Sequence, residues 1–269
     1  GVVLSAFLVS RSFPQRLCAG FLPPNDMKIS VGSAQDKGIT KEQFDAVLDR
    51  IEKIYEPIIA AQGAKLEIAR LWDDDTVNAY ASRQDNRYII SMFGGLARHK
   101  AVTQDGFALV ACHEIGHHLG GAPKKPGRWA SNEGQADYYA NLKCLHRIFS
   151  DSGSAPFSRL AEVDPLAEAA CRGSFAAAQD IALCLRAAMG GLSVSTLLNG
   201  TSSKPLRFDT PDKAVVAQTY HAHPAAQCRL DTYFQGSLCA RPVEEGLNDA
   251  DPIPGTCARS RGDSVGIRP

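Results

Sequence analysis

Apolar positions first recur at helical spacing after Thr40. Phe44, Val47, Leu48, Ile51, Ile54, Tyr55 and Ile58 share one face, as a helix packing into a core requires. Thr40 and Gln43 fit a capping box, in which each satisfies a backbone N–H at the helix start. Pro57 marks its end or a kink. The pattern then changes to alternation. Leu66, Ile68 and Leu71 predict a strand over 65–72, and Arg87 to Phe93 predicts another, broken by Gly94-Gly95. Asn78-Ala79-Tyr80-Ala81 leads into a polar turn at Gln84-Asp85-Asn86. The expectation is two or three antiparallel strands. Asp73-Asp74-Asp75 reads as a solvated turn, because the remaining spacing of a calcium loop is missing.

Helical spacing returns at Gln104 or Asp105. Phe107, Leu109, Val110, Ile115 and Leu119 supply the apolar surface, and Gly120-Gly121 ends the helix. A basic loop over 122–128 follows. Ser131 is the expected cap of the next helix, which runs through Ala136, Tyr139, Leu142 and Leu145 to about Phe149. Further helices are predicted over 165–175, 177–189 and 212–220, and after Pro224. A loop over 150–158 and a linker over 190–205 separate them. This divides the chain into an arm at 1–38, a main domain at 39–235 and an irregular tail at 236–269. The fold class is α+β: mostly helical, with a small antiparallel sheet.

Charge and cysteine content narrow the function. Lys plus Arg and Asp plus Glu number 29 each, so the formal net charge is zero. That excludes a broadly basic nucleic-acid or lipid surface and leaves local patches open. No uninterrupted apolar run of spanning length stands out, and the apolar start Gly1 to Val9 lacks the flanks of an intact signal peptide. The 8 cysteines contain no CxxC pair. Widely spread, they read as up to four disulfides in an oxidising compartment, or else as buried thiols. Cys112 with Cys144, Cys171 with Cys184 and Cys228 with Cys239 are the candidate pairs.

The candidate chemistry lies in Cys112-His113-Glu114-Ile115-Gly116-His117-His118. On a helix, His113 and His117 project from one face, which suits two nitrogen ligands to one zinc ion. Glu114 beside them can hold a water and accept its proton. His118 is turned off that face and reads as a packing or surface residue. Glu133 and Asp137 repeat the four-residue spacing on the next helix. Glu133 is the expected third ligand. Asp137 is the expected acceptor for an N–H of His113, orienting the ring. The reverse assignment, and two ordinary helix-start acids, stay open.

These pieces together resemble the gluzincin metallopeptidases. More specifically they resemble peptidase family M48, the group of HtpX, the CAAX prenyl proteases and BepA-like periplasmic enzymes. Asn78-Ala79-Tyr80-Ala81 resembles the family's N-A-[FY]-A segment, and Ile89 to Leu96 its strand ending in G-L. His113 to His117 resembles its HExxH, and Glu133 to Asp137 its E-x-x-A-D. His223-Pro224 with Arg229 resembles its H-P-x-x-x-x-R element. The interval between His117 and Glu133 is shorter than is usual there. The resemblance makes 39–235 a gluzincin-like catalytic domain holding one catalytic Zn2+ on His113, His117 and Glu133. It implies that Arg87, Tyr88, Ile89, Ile90, Ser91, Met92 and Phe93 form an edge strand that pairs with an extended substrate. It also brings His223 and Arg229 to the site, to gate it or to steady an oxyanion. Of His221 and His223, at most one faces the metal, and His223 is favoured.

The function expected is a zinc endopeptidase acting on extended or unfolded polypeptide. It is exported to a periplasmic or extracellular space, is monomeric, and has neither a nucleic-acid partner nor a transmembrane segment. The alternatives are a chaperone-like peptide binder that retains its zinc site, and a latent protease whose cleft is covered by the arm or the tail.

Overall fold

The computed structural model describes residues 20–150, 163–214 and 216–257. Helix α1 (Lys41–Ala60) starts with the Thr40–Gln43 capping box formed in both directions, and Pro57 is accommodated inside it. Its buried face is Phe44, Val47, Leu48, Ile51, Tyr55 and Ile59. Strands β1 (Lys65–Leu71), β2 (Ala79–Gln84) and β3 (Arg87–Phe93) form one sheet. β2 and β3 make a hairpin whose turn places Asp85 at φ 54°, a left-handed position that Asp tolerates.

The sheet corrects two expectations. Its order is β1-β3-β2, and β1 runs parallel to β3, so it is mixed rather than antiparallel. The strand Arg87, Tyr88, Ile89, Ile90, Ser91, Met92, Phe93 is therefore central and has no free edge for a substrate. The reason lies in composition. β3 is the most apolar of the three and is paired along both edges, whereas β2 (Ala-Tyr-Ala-Ser-Arg-Gln) is small and polar, as an edge requires.

The turn after β1 is tied down by Arg98, which is fully buried at the end of the short helix α2 (Gly94–Ala97). Its guanidinium donates to the carbonyls of Ile29, Trp72 and Asp74. The Asp74 carbonyl is thus engaged by Arg98 and the Asp75 carbonyl by Ile29 N–H, in keeping with a turn.

Helix α3 (Gln104–Leu119) is the axis of the core and packs on α1, β2 and β3. Thr103 caps it by accepting from the Gly106 N–H at 3.0 Å. Helix α4 (Glu133–Tyr139) continues through a π-helical segment (Ala140–Leu145) into α5 (His146–Ser150). Its cap is Asn132, whose side chain accepts from Gln135 N–H, and not Ser131. Ser131 is diverted because its hydroxyl donates to the Gly121 carbonyl at 2.7 Å. The predicted loop over 150–158 falls, after Ser150, outside the described residues.

Helix α6 (Pro165–Ser174) is as expected, but α7 (Ala178–Asn199) runs well past Met189. The expected break at Gly190-Gly191 is helix because these glycines let other chain segments approach. A Cβ on Gly190 would lie 3.1 Å from the Asp105 carbonyl oxygen, and one on Gly191 would lie 2.8 Å from Tyr233 Cβ. By length and composition α7 could cross a membrane, which the sequence reading did not register. It packs instead against α3, α6 and α8 (Ala226–Leu238) as a mostly buried core helix. No helix forms over 212–220, where the described residues are largely exposed and have no apolar face to bury.

Among the described residues, three disulfides join Cys112 to Cys144, Cys171 to Cys184 and Cys239 to Cys257. The third corrects the expected pairing of Cys228 with Cys239: Cys257 in the tail takes Cys239. The first ties α3 to the π-helical segment, closing 32 residues of chain. Replacing both Cys112 and Cys144 with Ala is expected to cost about 2–4 kcal/mol, read as a lower denaturation midpoint with a steeper slope, because the unfolded chain loses its cross-link and exposes more surface.

Candidate metal centre

The first half of the site is one turn of α3. His113 and His117 are stacked edge to face, with ring centroids 4.6 Å apart, and neither ring has exposed surface. The second half is the start of α4, which crosses closely because residue 116 is glycine. A Cβ there would lie 2.8 Å from the Ala136 carbonyl oxygen. This approach sets Glu133 Oε2 at 3.3 Å from His113 Nε2 and 3.7 Å from His117 Nε2.

The far nitrogen of each ring fixes its tautomer. His113 Nδ1–H donates to Asp137 Oδ1 at 2.7 Å, and His117 Nδ1–H donates to the Ser131 carbonyl at 2.9 Å. With both rings neutral, the Nε2 atoms are left as lone pairs aimed at each other and at a carboxylate oxygen. His113 Nε2, His117 Nε2 and Glu133 Oε2 are all buried without a hydrogen-bond partner. Three electron-rich atoms facing one another inside a core repel, and leaving them unsatisfied costs free energy. A cation between them removes both penalties. All three lie within 4.8 Å of one another, and two nitrogens with one carboxylate oxygen are a zinc donor set. The residues fit one zinc ion.

Ionisation agrees with that assignment. Burial works to raise the Glu133 carboxyl's pKa, but the two histidines and Lys125 hold it well below the usual range. Burial drives the His117 pKa down to about 4, keeping its ring neutral. Burial also opposes a proton on His113, but the Asp137 carboxylate outweighs it and lifts the pKa to about 9, so a metal ion would take the place of the Nε2 proton facing Glu133. That same attraction raises the basicity of the ring toward a metal. Glu114 is different. Both of its carboxylate oxygens are buried without partners, and burial raises its pKa to about 7.

Asp137 is the hub behind His113. Besides His113 it accepts two bonds from Arg229, from Nε at 2.8 Å and Nη2 at 2.7 Å, and one from Tyr233 Oη at 2.7 Å. Arg229 is fully buried, and Nη1 donates to the Phe21 carbonyl. This corrects its expected part at the oxyanion: Arg229 acts through Asp137, on the side of His113 away from the metal donors. Tyr233 and the Ser131 carbonyl were not found from sequence. A backbone acceptor leaves no residue-type signal, and Tyr233 sits on α8 among ordinary core aromatics.

His223 does reach the site. Its Nε2 lies 3.8 Å from Glu133 Oε2 and donates to the Gly20 carbonyl at 2.7 Å. His221 is not among the metal donors. His118 is a packing residue, stacked between Tyr88 and Trp129 at 4.8 and 4.7 Å, with Nε2 on the Ile89 carbonyl.

Residues 20–22 run beside the centre. The Phe21 ring meets His113 edge-on at 5.1 Å, and Phe21 N–H donates to the Ala79 carbonyl at 3.0 Å. Ala79 N–H is taken by its neighbour Asn78 Oδ1, so the peptide groups of Ala79 turn away from β3. By alternation Ala81 turns the same way, on the side of β2 that pairs with no other strand of the sheet, and β2 packs on α3. No family model, curated protein or solved structure matches this chain.

Proposed function

We propose that this protein is a zinc endopeptidase of gluzincin type, akin to peptidase family M48, that cuts polypeptide laid along the edge strand β2. One observation carries the reading. Three buried, mutually facing donors without partners meet a fourth unpartnered group, the Glu114 carboxylate, which a purely structural zinc site does not need. Zinc held by His113, His117 and Glu133 supplies Lewis acidity, acidifying water and polarising a carbonyl. Glu114 takes the proton of the attacking water and passes it to the leaving amine. Asp137 and Arg229 hold His113 in place. His223 Nε2–H is positioned to donate to a carbonyl oxygen as it gains charge. The bond from Phe21 to Ala79 supports strand addition at β2, and substrate would continue along Ala81. Three disulfides support an exported, periplasmic or extracellular protein.

Purified protein is expected to hold one zinc per chain and to hydrolyse an unfolded protein. A chelator should abolish cleavage and added zinc restore it. Cleavage indifferent to the chelator would remove the proposal.

A second reading has its own observation: His113, Glu114, His117 and Glu133 have no exposed surface, and the His223 donor is spent on Gly20. The same enzyme would then be latent, with residues 20–22 in the substrate's place. Cleavage that begins only after limited proteolysis ahead of Ile29 selects this reading. Immediate full turnover by the intact chain removes it.

A further inference from the structure

The loop between α3 and α4 brings a lysine to the centre. It folds back tightly: Lys125 N–H donates to the Ala130 carbonyl at 3.0 Å, and Arg128 N–H to the Lys125 carbonyl at 3.0 Å. Asn132 N–H closes on the Pro123 carbonyl at 3.0 Å, seating the loop on the start of α4. Lys124 pairs with Ser131 in an isolated bridge and with Asp249 at 2.7 Å. The Lys125 side chain then turns inward and is 14% exposed. Its Nζ lies 2.7 Å from Glu133 Oε1, while Glu133 itself has no exposed surface.

The two oxygens of Glu133 are therefore not equivalent. Oε1 is engaged in a charge-assisted hydrogen bond, and Oε2 alone faces the two histidine nitrogens. A free carboxylate can bind zinc through one oxygen or two. Two-oxygen binding would fill a position that a hydrolytic site must keep open for water and substrate. It would also add electron density to the metal and weaken it as a Lewis acid.

We propose that Lys125 is a positioning residue for this reaction. It holds Glu133 as a one-oxygen ligand, keeps the remaining coordination position open, and offsets part of the carboxylate's charge. The inference rests on the zinc peptidase reading above and gives a role to the short loop that the HExxH and E-x-x-A-D resemblances do not cover.

The test uses the full-length chain loaded with cobalt in place of zinc, because cobalt's visible absorption reports coordination number and geometry. In Lys125→Met, Glu133 Oε1 is released. The visible bands are expected to weaken and shift as the carboxylate takes a second position. With zinc, kcat should fall about 10–100-fold with KM little changed, the usual range for loss of a group supporting a metal ligand. Lys125→Arg should keep both the spectrum and most of kcat, because it retains a cationic donor. Thermal unfolding of the metal-free variants shows whether each is folded, and Lys125→Leu serves if the Met variant is not. A Met or Leu variant that is folded, spectrally unchanged and fully active would overturn the assignment while leaving the zinc reading intact. Wild-type protein that takes up no cobalt would overturn both.

Discussion

Glu114→Gln is expected to retain its zinc and lose peptidase activity by about 10²–10⁴-fold, the usual contribution of a general base. The two effects separate because Glu114 is not among the three donors. Gln keeps the shape of the side chain and removes its ability to take a proton. A stability readout accompanies this. Burial raises the Glu114 pKa in the folded, metal-free chain from 4.5 to about 7. Its ionised form is thus better tolerated in the unfolded chain. The resulting penalty is absent below about pH 4, grows between the two pKa values and is complete above about pH 7. The metal-free Glu114→Gln chain should therefore be at least as stable as wild type at pH 8, and should lose that advantage at pH 4. The checks are zinc content, cleavage rate and denaturation midpoints at the two pH values. Substantial cleavage by a zinc-loaded Glu114→Gln chain would remove Glu114 as the base. A stability difference of opposite sign would contradict its burial as a carboxylate.

The metal donors were legible because helix geometry alone links residues four apart. His113 with His117, and Glu133 with Asp137, need only helical periodicity and one reversal of the chain between α3 and α4. The brace from Cys112 to Cys144 follows from the same two helices. Sheet order was not legible in the same way. Alternation identifies a strand and its faces, but which strand lies at the edge depends on pairing partners far along the chain. The resemblance named the strand Arg87 to Phe93, while the parallel pairing of β1 moved that strand inside and left β2 at the border. Glycine misled in one place and informed in another. Gly120-Gly121 does end α3, yet Gly190-Gly191 continues α7, because the cost of glycine in a helix is offset where close packing needs it. The support of the centre was only half visible. Asp137 stands out by its spacing, whereas Tyr233, the Ser131 carbonyl and the Phe21 carbonyl join through tertiary contacts that no local pattern encodes.

Asp137→Leu should be the most destabilising single change near the centre, costing about 3–5 kcal/mol. The carboxylate it removes accepts from His113, from Arg229 twice and from Tyr233, all fully buried. Arg229 would keep its bond to the Phe21 carbonyl but lose Asp137, the one counter-charge within hydrogen-bond reach among the described residues. An unpaired guanidinium inside a core is the expensive part of this loss, because the pair's own attraction largely repays the cost of dehydrating two charges. Replacing both members should therefore cost less than replacing one. Asp137→Leu combined with Arg229→Met is expected to recover much of the lost stability by filling the space with apolar groups. It should not recover metal binding. His113 would still lack the acceptor that fixes its tautomer and strengthens Nε2, and zinc affinity should stay about 10–100-fold below wild type. Denaturant midpoints for the single and double variants measure the first effect, and competition with a chromophoric chelator measures the second. Equal losses of stability in the single and double variants would show that the burden lies in packing rather than in stranded charge. Full zinc affinity in the double variant would show that His113 needs no carboxylate behind it.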